Sequence, residues 1–235
     1  MASPQALLVT RPEPGASDLI RTLQSQVAAE LFNAPLTTIV ATHAAIDKGD
    51  ADVLLITSPK AIELAETLPA LPVVAVGRTS SEAAKARGLD VRAIGSSRID
   101  DALIDTIKPG MRVLHLAGAD LSTDPAPLFA ERGIAYRRTV VYEAQAASEA
   151  PADLSRFLAF SGDRFVTFLS ARAAEIFGQL AAPLAPSAGK PSLAALCLSP
   201  RIAEAAAATE LFENVQSSPT SEPAQFVDFI KSHCT

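Results

Sequence analysis

The sequence is poor in the residues that build disulfide frameworks and metal sites. It contains two cysteines, Cys197 within an apolar run and Cys234 beside the last residue, and this spacing fits neither kind of site. The three histidines, His43, His115 and His233, also lack metal-ligand spacing. We therefore expect no bound metal, and we interpret Cys197 and His115 as structural core residues.

Positive charge and long apolar runs are scarce as well. Lys and Arg total 20 against 26 Asp and Glu, a net charge of −6, which argues against a broad nucleic-acid or anionic-membrane surface. No apolar run approaches a membrane-spanning helix, and the first residues lack a signal-like pattern. We expect a cytoplasmic protein with neither nucleic-acid nor membrane partners, which holds any anionic ligand locally.

Several catalytic motifs are missing. The chain has no glycine-rich dinucleotide fingerprint, no phosphate-binding loop with its lysine and no nucleophile elbow. Its acidic residues are scattered, so no catalytic carboxylate pair can be assigned. Nicotinamide, ATP-dependent and hydrolase chemistry lose support, and any catalysis depends on few side chains.

What the chain does contain is a series of segments that occurs twice. The matching pairs are 6–23 with 112–129, 54–64 with 166–176, and 73–84 with 194–206. Each copy alternates short apolar runs, typical of buried strands, with helically spaced apolar residues. This alternation predicts an α/β fold class, with two similar lobes of parallel sheets flanked by helices.

Three dipeptides predict where helices begin. Ser58-Pro59, Asp124-Pro125 and Ser199-Pro200 each place a capping side chain before a proline suited to the first helical turn. Ser170 resembles Ser58 in following its strand directly.

Two further segments, residues 37–40 and 138–141, are rich in β-branched residues and predict a pair of linker strands. If they cross between lobes, the first lobe is discontinuous; otherwise the chain divides into consecutive halves near Gly110. In the discontinuous arrangement the lobes are 1–35 with 146–235 and 44–135, and the linkers are 36–43 and 136–145.

Small and hydroxyl residues follow the predicted strands, where parallel sheets bind ligands. Backbone amides and helix N-termini there favour carboxylates or phosphates, although each Ser or Thr could simply cap its helix. Tyr142, one of two tyrosines, lies on the second linker strand and can donate a hydrogen bond, with packing as the alternative role. The candidate binding residues are Thr10, Arg11, Thr57, Ser58, Gly77, Ser80, Gly118, Ser170 and Arg201.

Taken in order, six segments resemble the motif series of the uroporphyrinogen-III synthase family. They are "LLVTRP", "LLITSPKAIEL", "VVAVGRTSSEAAKARGLDV", "VLHLAGADL", "TVVYEA" and "VTFLSARAAEIF". The resemblance extends from about Leu7 to Ile230. It implies two α/β lobes joined by a two-stranded antiparallel ladder, with a discontinuous first lobe, and so favours the interleaved boundaries.

The resemblance also implies a reaction without a cofactor. The substrate would be hydroxymethylbilane, a linear tetrapyrrole with carboxylate side chains, cyclised with inversion of its last ring in heme biosynthesis. Loss of the terminal hydroxyl as water leaves an azafulvene cation, and a spiro intermediate then leads to the type III isomer, whereas spontaneous closure gives type I. The long, charge-poor helices and the lack of an obvious exposed apolar stripe favour a monomer. We also expect transient contact with the enzyme that produces hydroxymethylbilane.

The family's motif residues fall on particular positions of this chain. Its crossing-strand tyrosine falls on Tyr142, where it would help the hydroxyl depart, and its Thr-Ser pair falls on Thr57 and Ser58. In the loop after 194–198 the sequence departs from the family, because Ile202 replaces a usual threonine, with Arg201 beside it. Ala117 and Ala119 likewise replace an arginine and an acid beside Gly118.

Two other functions remain open from the residues alone. A non-catalytic two-lobed protein could bind an anionic small molecule without turning it over. A degenerate synthase-like domain could serve as an interaction module, which the departures at Ile202 and Ala117 leave open.

Overall fold

The computed structural model describes residues 3–96, 99–121, 123–184, 192–220 and 222–234. Strands and helices alternate along most of this chain. In chain order the elements are β1 (Gln5–Val9), α1 (Gly15–Leu23), β2 (Glu30–Asn33), β3 (Thr37–Ala41), β4 (Val53–Ile56), α2 (Pro59–Leu64), β5 (Val73–Val76), α3 (Arg78–Ala86), β6 (Val91–Gly95), α4 (Asp101–Ile104), β7 (Arg112–Gly118), α5 (Ala126–Glu131), β8 (Ala135–Ala146), α6 (Ala152–Leu158), β9 (Asp163–Phe168), α7 (Ala171–Ala181), β10 (Leu193–Cys197), α8 (Pro200–Ala207), β11 (Asn214–Ser217) and α9 (Pro223–Lys231).

Residue contacts divide the chain into two units. One is discontinuous and comprises Met1–Thr38 and Gln145–Thr235, and the other is Ile39–Ala144. The lobe and linker boundaries inferred from the sequence stay a prediction. No described helix is long and apolar enough to cross a membrane.

The first unit contains a five-stranded sheet in the order β2, β1, β9, β10, β11. All its pairings are parallel. Side chains alternate between two cores, because Ala6 and Leu8 pack on one face of β1 while Leu7 and Val9 pack on the other. Helices cover both faces, as the continuous burial of β1 and β10 requires.

The second sheet runs β3, β8, β7, β4, β5, β6. The pairings from β8 to β6 are parallel. On β4, Leu54 and Ile56 belong to one core and Val53 and Leu55 to the other. The described structure thus confirms the predicted α/β class with parallel sheets flanked by helices.

The internal sequence repeat is also a structural repeat. Strands β1, β9 and β10 are successive neighbours in the first sheet, and β7, β4 and β5 are successive neighbours in the second. These are the strands of the three matched segment pairs, so each sheet contains one strand from every pair, in the same order.

The linker strands β3 and β8 are neighbours in the second sheet. Thr42 N–H donates to Val141 O over 3.1 Å, and Ala147 N–H donates to Leu36 O over 2.9 Å. Because residue numbers rise along one strand as they fall along the other, the pair is antiparallel.

At two of the predicted helix starts the expected side chain accepts a backbone N–H, although the N-cap residue of α5 is Pro125 rather than Asp124. Ser58 Oγ accepts from Lys60 N–H at 3.3 Å, and Asp124 Oδ1 accepts from Ala126 N–H at 3.0 Å. Ser199 is the N-cap residue of α8, as predicted, but its side chain makes no capping hydrogen bond within the described chain. Pro200 nevertheless occupies the first turn of α8, where its missing N–H has no cost.

Candidate active site

A cavity of about 770 Å³ lies in the second unit, at the carboxyl ends of its central strands. Thr57 and Ser58 follow β4, Val76 ends β5 and Gly118 ends β7, and all four line the cavity. The strands are parallel, so their carboxyl ends meet at one edge, the usual ligand-binding edge of such sheets. The volume falls in the range of small-molecule sites, about 300 to 1,000 Å³.

Tyr142 lines the same cavity and lies against Gly118. A β-carbon on Gly118 would stand only 2.5 Å from Tyr142 Cε2 and 2.6 Å from Cζ, so the ring occupies space that only glycine leaves open. The backbone holds the pair together as well, because Ala119 N–H donates to Tyr142 O over 2.9 Å. Gly118 therefore fixes where the Tyr142 phenol sits.

This contact depends on a bulge between β7 and β8. Ala117 pairs with Val140, but the next residue, Gly118, pairs with Tyr142 rather than Val141. One extra residue on β8 changes which side chain stands opposite Gly118, as β-bulges do. The bulge thereby places Tyr142 beside Gly118 at the cavity.

A buried histidine connects the cavity to a second tyrosine. His115 is 1% exposed; its Nε2 lies 2.9 Å from Thr57 Oγ1 and its Nδ1 lies 2.8 Å from Tyr136 OH. Burial lowers the pKa of His115 to about 4, reinforced by the charge of Arg138 and opposed by Asp124. Burial raises the pKa of Tyr136 to about 12, so at neutral pH the imidazole is uncharged and the phenol keeps its proton.

The charged side chains of the described cavity lining are all acidic. They are Asp100, Asp120, Asp124 and Glu131. A cation bound in the cavity would be attracted by these carboxylates, whereas an anionic ligand would need neutral donors such as the hydroxyls of Thr57 and Ser58. Within the described residues, no group of three or more His, Cys, Asp or Glu side chains could hold a metal ion.

The cavity brings together four of the residues singled out in the sequence: Thr57, Ser58, Gly118 and Tyr142. Gly77 and Ser80 belong to the same unit but are not among its lining residues. Gly77 directly precedes α3 with a φ of 77°, a conformation that favours glycine, and Ser80 is buried within that helix. Substrate contact by Gly77 and Ser80 stays a prediction.

The other four candidate residues lie in the first unit. Thr10 is fully buried, and its hydroxyl donates to Thr167 O over 2.6 Å. Ser170 Oγ accepts from Ala173 N–H at 3.1 Å and so caps α7, while Arg201 is exposed on α8. Arg11 lines a smaller cavity of about 160 Å³ beside α1 and α9. Binding by these four residues also stays a prediction.

From the sequence His115 is predicted to be a structural core residue, and no role is predicted for Tyr136. Both belong to hydrogen-bonded strands, β7 and β8, in which Val113 pairs with Tyr136 and His115 with Arg138. A polar residue in an otherwise apolar strand was the available signal at His115. Its two hydroxyl partners, 58 residues before and 21 residues after it, became visible only in the folded chain.

Comparison with known proteins now adds independent information. A comparison with curated proteins finds no match. A solved uroporphyrinogen-III synthetase from Helicobacter pylori 26695 is similar in fold, with 14% identity, a TM-score of 0.63 and coverage of 97% of this chain and 99% of that one. A mutant uroporphyrinogen III synthase from the extremely thermophilic bacterium Thermus thermophilus also matches, with 14% identity, a TM-score of 0.44 and 97% coverage of both chains.

The family model described as uroporphyrinogen-III synthase HemD matches residues 17–224. This match covers most of the chain and includes every element that lines the cavity. It confirms the predicted family and, with it, the predicted enzyme class, a lyase of heme biosynthesis. The chain belongs to the uroporphyrinogen-III synthase family.

Proposed function

We propose that the protein cyclises hydroxymethylbilane to uroporphyrinogen III, with inversion of the terminal ring and loss of water. The family match over residues 17–224 is the observation that carries this proposal. The cavity beside Tyr142 supports it, because it joins a phenol, three further hydroxyls and several carboxylates in one site.

These groups suit a reaction that passes through a cation. The Tyr142 phenol would donate its proton to the departing hydroxyl, which leaves as water, and the phenolate would recover a proton when the last pyrrole ring loses one on closure. The carboxylates of Asp120 and Asp124 would attract the azafulvene cation left behind, while the hydroxyls of Thr57 and Ser58 would donate to substrate carboxylates. Holding the reacting carbons close together would make the largest contribution to catalysis, since positioning alone can lower the activation barrier by about 7 to 11 kcal/mol.

The selectivity of the reaction also bears on where its substrate comes from. Hydroxymethylbilane closes spontaneously to the type I isomer, so a synthase must bind it soon after release. We therefore propose that the protein receives its substrate during transient contact with the enzyme that produces it. We also propose that the protein is a monomer and acts in the cytoplasm. Size-exclusion chromatography with light scattering, alone and with that enzyme, tests both the monomer and the contact.

Isomer analysis of the product is the experiment that tests the activity. The purified protein is mixed with freshly generated hydroxymethylbilane, and the porphyrinogen formed is oxidised and separated by chromatography. We expect type III porphyrin in excess over a control without protein. Type I alone, from a protein with a folded circular dichroism spectrum, would refute the synthase and favour an anion-binding or interaction role.

Replacing Tyr142 tests its contribution to the reaction. Tyr142→Phe keeps the ring beside Gly118 but removes the hydroxyl, and we expect kcat to fall about tenfold, the effect of losing a hydrogen bond worth about 1.5 kcal/mol. The thermal unfolding temperature should stay close to that of the parent protein, because the aromatic packing is retained. Unchanged kcat would remove Tyr142 from the mechanism.

A further inference from the structure

Three hydrogen-bonding side chains form a line that ends at the cavity. Tyr136 OH is 2.8 Å from His115 Nδ1, and His115 Nε2 is 2.9 Å from Thr57 Oγ1. Thr57 and His115 both line the cavity, whereas Tyr136 is not among the lining residues. The ring of Tyr136 is held from behind by stacking on Phe129, with centroids 5.4 Å apart and planes 12° apart.

The direction of these hydrogen bonds follows from the neutral imidazole, which carries one N–H and one acceptor nitrogen. If the phenol donates to Nδ1, then Nε2–H donates to Thr57 Oγ1, and the Thr57 hydroxyl proton remains for a ligand. The reverse direction would leave the phenol proton without a protein acceptor, since His115 is the hydrogen-bond partner found for Tyr136 OH in the described part of the chain. A phenol is also a stronger donor than an aliphatic hydroxyl, which favours the first direction.

We propose that Tyr136 and His115 are positioning residues that keep the hydroxyl proton of Thr57 directed at a substrate carboxylate in the cavity. This inference rests on the synthase function proposed above and assigns a recognition role within its site. A carboxylate only accepts hydrogen bonds, so it gains from a donor and is repelled by hydroxyl lone pairs. The direction of the Thr57 hydroxyl proton matters in this cavity because the charged groups that line its described part are acidic. A substrate carboxylate there depends on neutral hydrogen-bond donors.

The tautomer of His115 can be observed without any substrate. We would record imidazole nitrogen spectra of the full-length protein labelled with ¹⁵N-histidine at pH 7, and assign His115 by its loss in His115→Gln. We expect a neutral ring protonated at Nε2, and in Tyr136→Phe a smaller share of that tautomer. A ring protonated at Nδ1, or at both nitrogens, in the parent protein would overturn the proposal.

A double-mutant cycle tests whether the phenol acts through Thr57. A hydrogen bond to a charged group corresponds to about a 10- to 100-fold change in affinity, so Thr57→Val should raise the KM for hydroxymethylbilane at least about tenfold. Tyr136→Phe, which retains the ring stacking, should raise KM by a smaller factor in the parent and have no effect in Thr57→Val. Thr57→Ser should restore most of the affinity and the sensitivity to Tyr136→Phe.

Thr209→Val is a matched control for loss of a hydroxyl. Thr209 is in the first unit and its Oγ1 donates to Ala206 O at 2.7 Å, so its replacement should leave KM unchanged. Equal effects of Tyr136→Phe in both backgrounds would show a merely structural role and refute the proposal. If the parent protein makes no type III isomer, the synthase function fails, while the ¹⁵N spectra still decide whether the hydrogen-bond direction is correct.

Discussion

Gly118→Ala should lower kcat/KM for hydroxymethylbilane about 100-fold, a loss typical of a misplacement near 1 Å at a reacting centre. The added methyl group would lie 2.5 Å from Tyr142 Cε2, where an unstrained carbon–carbon contact needs about 3.5 to 4.0 Å. The Tyr142 ring has to move, or the bulge that pairs Gly118 with Tyr142 has to change. Steady-state kinetics with isomer analysis measures the loss.

Two comparisons show whether the loss passes through Tyr142. Gly178→Ala brings a methyl group to 2.8 Å from Thr209 Cγ2 in the first unit, and should leave kcat/KM unchanged although the crowding is similar. In a Tyr142→Ala background, Gly118→Ala should cause little further loss, because the clashing ring is absent. A full additional loss in that background would show that Gly118 matters for another reason.

The second large effect concerns acid stability. We expect the stability advantage of the parent protein over His115→Gln to shrink by about 3 kcal/mol between pH 6.5 and pH 4. An unfolded histidine takes up a proton below its ordinary pKa of 6.5, but the buried His115 resists protonation until about pH 4. Between pH 6.5 and pH 4 the unfolded chain therefore binds the proton more tightly than the folded protein does. The contribution of His115 to the free energy of unfolding is complete above pH 6.5 and is lost as the pH falls towards 4.

Amide hydrogen exchange measures this effect within the second unit. The buried neighbours Leu114 and Leu116 on β7 report its opening, and their exchange free energies in parent and variant are compared across the pH range. His43→Gln is the control, because the His43 side chain is 73% exposed in its pair with Glu66, and the acid dependence should survive its loss. A parent-to-His115→Gln difference that is constant with pH would contradict the expected burial of a neutral imidazole.

The central strands were predictable because each is a continuous apolar run. Every residue of β4, β5 and β10 is buried, as expected when helices cover both faces of a parallel sheet. The sequence predicts no strand at Glu30–Asn33 or Asn214–Ser217, which form the edges of the first sheet. Their mixed burial leaves no clear period in the sequence, and pairing to a neighbouring strand determines their conformation.

Some features of the cavity residues were predictable from the sequence and others were not. Thr57 and Ser58 could be selected because they directly follow a strand, and Gly118 because it ends one. Tyr142 could be selected because it lies on a linker strand that the family motif shares. The importance of Gly118 could not be derived from its position alone. It depends on a one-residue bulge that selects Tyr142 rather than Val141 as its neighbour, and such a shift leaves no periodic signal.

The sequence by itself determined the α/β class, the repeated strand series and the family, because apolar periodicity and motif order are properties of neighbouring residues along the chain. Only the tertiary structure decided that His115 stands between Thr57 and Tyr136, since these hydrogen bonds join residues 58 and 21 positions apart. Burial by the surrounding elements then lowers the pKa of His115 and keeps it neutral. Short-range patterns encode the strands and helices, whereas the protonation and direction of a side chain depend on what the whole fold packs around it.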